Sequence, residues 1–337
     1  MTTETANQAF KQEVEKVSQK YLTKLQDEMI KQHDELITQF NQCFKQYCRQ
    51  IVTLQQSGAK NPLGYIQFSL MRSKIITGEH AFRIDAYDQD GYADQALCVG
   101  AYDVTPIFSH LDQFGKELQE RRRKYMQKVT VCQVKQLVLE ESDTYKLAVT
   151  ALIRSALPKA IETADYQKVK REDLFVITVG EFRDQVELVY KEDRTEKDVE
   201  KMKHLLGTTK EEGHQYEVFD GLDLSGGQFA QTSWLYCSGK NSTFAQATLS
   251  TATLMFCQFE GATFKSVDFS HSDLIGIDFT NATLEAVDFT GARMLQVNFS
   301  GATLKQIDFT TVDQIKAIDL TDATLIDVRR PDEMGVE

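Results

Sequence analysis

Apolar residues recur every five positions over the last third of this chain. Stepping from Phe219, the sequence gives Leu224, Phe229, Trp234, Gly239, Phe244, Leu249, Leu254 and Phe259, and continues to Phe309 with Gly239 the only small residue. A helix repeats at 3.6 residues and a strand at 2, so neither accounts for this pattern. A fixed short period predicts a solenoid, in which each unit buries its apolar face against the next. If four units make one coil, residues twenty apart stack at about the 4.8 Å spacing of neighbouring strands. Phe259, Phe279 and Phe299 then form one inward ladder, and Phe269, Phe289 and Phe309 the opposite one. Near Gln314 the phase slips by one residue.

The pattern before residue 215 is different. From about residue 8 to 56, Leu22, Leu25, Met29, Leu36, Phe40, Tyr47, Ile51 and Leu54 recur at helical spacing, with no Gly or Pro until the breaker SGAKNPLG at 57–64. One long helix is expected in residues 1–60. Its apolar seam pairs either with a copy of itself, as a dimeric coiled coil, or with other helices of the chain. Residues 65–207 read as an α+β domain. YIQFSLMRS and AFRIDAYD alternate as half-buried antiparallel strands do, and Thr105-Pro106 opens a helix through ELQERRRKYMQ. TYKLAVTALIRSAL predicts another helix, ended or kinked by Pro158. LFVITV and QVELVYK predict a hairpin around Gly180, followed by a charged helix near EKDVEKMKHLL. VTVCQVKQLVLEE fits helix and strand equally. The expected architecture is therefore a long amphipathic helix in 1–60, an α+β domain in 65–207 and an all-β solenoid in 215–328.

The outward columns of the solenoid carry the candidate chemistry. Thr243, Thr263, Thr283 and Thr303 stack on one side. Asp268, Asp288 and Asp308 stack elsewhere, an acidic face whose like charges repel unless solvent screens them. Beside the inward residues Trp234, Leu254, Leu274 and Met294 stand Leu235, Met255, Ile275 and Leu295, where solvent-facing residues are expected. Ile315 continues them if the slip falls beyond it, and Tyr236 and Phe256 widen the stripe. The matching positions across the coil are Ser225, Ala245, Lys265, Glu285 and Lys305. An apolar stripe on one face calls for a cover, supplied either by the chain's own N-terminal part or by a partner.

Composition narrows the function. A net charge of -12 argues against a general binder of nucleic acid or anionic membrane, which needs a basic footprint. Neither a transmembrane span nor a signal peptide is visible, which points to a cytoplasmic protein. The six Cys have no CxxC spacing, and Cys237 and Cys257 read as small buried hydrophobes on consecutive rungs rather than a redox pair. In DAYDQDGYADQ the first and twelfth calcium-loop positions are Ala86 and Leu97, so a turn at Asp90-Gly91 is expected instead. The run from Glu120 to Lys124 reads as a solvated helix face. No catalytic, cofactor-binding or metal-binding residues emerge, and no enzyme is indicated.

Units such as ATFKSVDFSHSDLIGIDFTNATLEAVDFTGARMLQVNFSGATLKQIDFT resemble the pentapeptide-repeat family. The resemblance covers about a third of the chain and implies a right-handed, four-sided β-helix with the central residue of each unit inward. It also implies a possible activity, since the family includes acidic, DNA-like proteins that protect DNA gyrase. Two functions therefore stand: a non-enzymatic protein-interaction scaffold or adaptor, self-associating through its N-terminal helix, and a DNA mimic whose partner is a type II topoisomerase.

Overall fold

In the computed structural model, which describes residues 3–94, 96–208 and 213–331, the five-residue repeat closes into a coil of short strands. Strands such as Thr263–Lys265 and Thr283–Glu285 pair in parallel exactly one coil apart, Thr263 with Thr283 and Phe264 with Leu284. On another side Asp273–Ile275 pairs with Thr253–Met255 and Arg293–Leu295. One side is a five-stranded parallel sheet and the other a six-stranded one. The corners carry isolated parallel bridges, among them Asp268 with Asp288 and Asp278 with Asn298. This is the four-sided β-helix that the sequence implied.

Where the sequence was read as three parts, contacts group the chain into two units, Met1–Glu192 and Asp193–Glu337. The first unit begins with α1 (Thr3–Lys31) and α2 (His33–Gln56). The single long helix is thus broken at Gln32, whose backbone leaves helical geometry at φ -106° and ψ 15°. No Gly or Pro marks the break. It follows instead from tertiary packing, because α1 lies on α4 (Thr105–Arg122) and α2 on α5 (Val131–Ile161). Leu25, Leu36, Phe40, Tyr47 and Ile51 are buried in one core with the sheet, and Leu22, Met29 and Leu54 pack against it. The seam is therefore occupied within the unit, which corrects the coiled-coil reading.

The sheet of this unit has the order β3-β2-β1-β4-β5, with β1 (Leu63–Leu70) at its centre. β2 (Ala81–Tyr87) runs antiparallel to β1, as its alternation predicted, and β3 (Val99–Asp103) antiparallel to β2. β4 (Arg171–Glu181) pairs with β1 in parallel and turns tightly into β5 (Val186–Asp193). The ambiguous VTVCQVKQLVLEE belongs to α5, opened by a capping box in which Thr130 and Gln133 satisfy each other's backbone N–H. Pro158 sits inside α5, which runs one further turn to Ile161. Near the sheet, Gly91–Ala93 form a single 3-10 turn at the expected place. A short helix, α3 (Arg72–Thr77), follows β1.

In the second unit the helix near EKDVEKMKHLL spans Val199–Leu206. It was expected in the α+β domain, but Met202 and Leu206 join the solenoid core, and the Trp234 indole N–H donates to the Leu206 carbonyl at 3.4 Å. A solenoid leaves its end rungs uncovered, and this helix closes the first one.

Candidate interaction surface of the solenoid

The inward ladders fix every outward position. Phe259, Phe279 and Phe299 are fully buried, with ring centroids 5.6 and 5.3 Å apart. Phe269, Phe289 and Phe309 stack at 5.5 and 5.8 Å. The gap at Gly239 is filled by its neighbours, since a Cβ there would lie 2.2 Å from the Phe219 ring and 3.1 Å from that of Phe259. Those two rings meet across it at 6.4 Å.

Leu235, Met255, Ile275 and Leu295 lie in register on consecutive rungs, and each is half-buried. Ile315 does not continue this stripe. It pairs with the inward Met294, and Lys316 takes the place after Leu295. The extra residue enters earlier than the slip suggested. Gly291 N–H bonds Thr311 O, twenty residues on, where the coil before spans nineteen (His271 N–H to Thr290 O), so the extra residue lies in the turn Phe309–Thr311. The stripe is therefore four rungs long and ends in a cation.

Beside it runs an aromatic stack that the sequence showed only in part. Tyr216, Tyr236 and Phe256 occupy one corner, with φ of 55, 56 and 54°. Their rings stack at 5.1 and 5.3 Å, and Phe256 is 41 % exposed. Tyr216 was missed although it stands twenty residues before Tyr236. The stack ends at Gly276 (φ +64°), where a Cβ would come within 2.5 Å of the Phe256 ring.

The opposite side is polar. Lys305 donates to Glu285 at 2.7 Å, and Lys265 lies 3.7 Å from the same carboxylate. The Lys305 bond holds Glu285 below the usual carboxylate range. Next to this ladder Thr243, Thr263, Thr283, Thr303 and Thr324 stand in register.

Asp268, Asp288 and Asp308 do stack, but each carboxylate is engaged in its own corner. Asp288 Oδ1 accepts from the Thr290 backbone N–H at 2.9 Å and hydroxyl at 2.6 Å. Asp308 does the same with Thr310, whose bonds lower its pKa, and Asp268 accepts from the Ser270 N–H. Asp278 and Asp319 repeat the arrangement on another corner. One oxygen of each thus serves as a turn acceptor.

Cys237 and Cys257 are fully buried free thiols on consecutive rungs, donating to the carbonyls of His214 and Trp234. Burial pushes the Cys257 thiol well above its ordinary range. Among the described residues no group of three His, Cys, Asp or Glu is placed to hold a metal, and no helix is long and apolar enough to cross a membrane.

Residues 259–303 match the family model for pentapeptide repeats (9 copies). Among solved structures, the chain is similar to a pentapeptide repeat protein, Rfr23, from the cyanobacterium Cyanothece 51142, at 16 % identity over 35 % of this chain and 86 % of that one, with a TM-score of 0.26. HetL of Nostoc sp. strain PCC 7120, a pentapeptide repeat protein involved in heterocyst differentiation regulation, gives 12 % identity, 40 % and 95 % coverage and a TM-score of 0.22. QnrB1, a plasmid-mediated fluoroquinolone resistance protein, gives 14 % identity, 36 % and 66 % coverage and a TM-score of 0.26. No curated protein matches the chain in sequence.

Proposed function

We propose that the pentapeptide-repeat β-helix of this chain is a non-enzymatic recognition module, part of a scaffold or adaptor that docks an amphipathic helix of another protein. The observation that carries this reading is the one-sided stripe Leu235, Met255, Ile275 and Leu295, flanked by Tyr236 and Phe256. Across the coil the corresponding positions are an ion ladder. The spacing suits a helix. Rungs repeat at about 4.8 Å and helical turns at about 5.4 Å, so a helix along the coil axis brings one apolar side chain to each rung.

The test is Ile275→Glu in the full chain. The reading expects an unchanged oligomeric mass by light scattering, a melting temperature within about 2 °C of the parent, as befits a surface position, and reduced binding of the apolar dye bis-ANS. A large loss of stability would mean that the stripe is already covered within the chain. A change of mass would mean that a second copy covers it. Either result overturns the reading. Topoisomerase protection, the alternative, is tested by gyrase supercoiling in the presence of a fluoroquinolone, where no protection by added protein removes it.

A further inference from the structure

The first unit holds a cleft of about 420 Å³ between α3, α4 and α5 that neither the solenoid nor the reading above uses. Its floor is aliphatic, made by Ile75, Leu111, Val134, Val138 and Leu139, with Ile76 52 % exposed at its mouth. Lys116 on α4, Arg123 in the turn just after it and Lys135 on α5 stand around it.

These cations differ from their neighbours in what they touch. Arg121 and Lys124 reach Glu13 on α1, and Arg121 also chelates Glu117 with two bonds. Lys116, Arg123 and Lys135 form no ion pair among the described residues. Two rim acids, Glu120 and Asp112, the latter bonded to His80 at 2.9 Å, face these three cations. In a chain of net charge -12 the cleft is thus a local cationic site over an apolar floor. Its volume lies within the range of small-molecule sites, about 300–1,000 Å³.

We infer that this cleft binds a long-chain alkyl carboxylate, with the chain on the aliphatic floor and the carboxylate among Lys116, Arg123 and Lys135. Calorimetric titration of the full chain with sodium laurate below its micelle concentration tests this. One saturable site is expected. Removing two methylenes should weaken binding about fifteenfold, since each buried methylene is worth roughly a factor of four. Lys116→Glu/Arg123→Glu, two exposed and unpaired positions, should weaken laurate about tenfold or more with the melting temperature unchanged. Val138→Trp, which fills the cleft, should also abolish the site. The inference is overturned if no saturable binding occurs up to about 1 mM, if the charge reversal leaves laurate affinity intact, or if dodecyltrimethylammonium binds as tightly as laurate.

Discussion

Truncating Phe279 to Ala tests the inward ladder at its most enclosed point. The ring is fully buried, stacked between Phe259 and Phe299 at 5.6 and 5.3 Å, and meets Phe264 edge-on at 5.3 Å. Loss of a buried Phe costs about 3–5 kcal/mol, combining the lost transfer energy with the cavity left behind. Three contacting rings leave little room to collapse, which favours the upper half of that range. A unit of this size has roughly 7–15 kcal/mol of stability in all, so the variant should lose about a third of it. Trp234 is the only tryptophan and is buried in the solenoid, so its fluorescence during urea unfolding reports this unit alone. With a urea slope of about 2 kcal/mol/M, the midpoint should fall by roughly 2 M. Far-UV circular dichroism read in parallel shows whether the rungs beyond Phe279 melt apart from those around Trp234, as nearest-neighbour coupling allows. Thr283→Ala, on the outside, should stay within about 0.5 kcal/mol. A shift below about 1 kcal/mol by both probes would refute the packed ladder.

Asp288→Ala should cost about 0.5–1.5 kcal/mol by leaving the Thr290 N–H and hydroxyl unmet. Asp288→Asn, which keeps the acceptor and removes a like charge from the column, should cost nothing measurable in the same urea assay. In the first unit, Lys20 foremost, with Arg121 and Tyr21, holds Glu117 at a pKa of about 2. The folded value lies below the unfolded one of about 4.5, so this stabilisation is complete above pH 4.5 and disappears as pH falls towards 2. The stability difference between the parent and Glu117→Gln, about 1–3 kcal/mol at pH 7, should therefore shrink over that window, and a pH-independent difference would contradict it. Thiol titration of the native chain at pH 8 should show Cys132 reacting first, because it alone is exposed. Cys43, pushed up to about 11 by burial, is roughly 0.1 % thiolate at that pH. Cys237 and Cys257 should react only on unfolding.

The solenoid was the most legible part of the chain because its contacts are local. A residue meets the one twenty positions away, so a column can be read by counting, and Leu235 to Leu295 fell where the count put them. The count failed at Ile315, because an extra residue in the turn Phe309–Thr311 moves every later residue and nothing in the repeat says on which side of a corner it enters. Gly239 looked like a defect and is a place where two Phe rings fill the space of a missing side chain. In the first unit β1, β2, β4 and β5 followed from alternation, and Thr105-Pro106 marked the start of α4, although Val104 and not Thr105 is its N-cap; β3 and α3 were not read. The break at Gln32 was not legible either, because it is set by two different helices met far along the chain. The cleft was illegible for the same reason. Arg121 and Arg123 look alike in the run ERRRK, and only folding brings one to Glu13 and the other to the rim of the cleft.

The central claim is that one outer column of the coil is apolar and open while its immediate inward neighbour is sealed. Two methionines sit on either side of that line, Met255 half-buried in the stripe and Met294 fully buried in the core. Limited peroxide oxidation of the native full chain, read by peptide mass spectrometry, compares them directly. The account predicts that Met255 is oxidised many times faster than Met294, and that the two converge only in denaturant. Equal protection of both in the native chain would show that the stripe is covered, and faster oxidation of Met294 would show that the columns are assigned to the wrong sides.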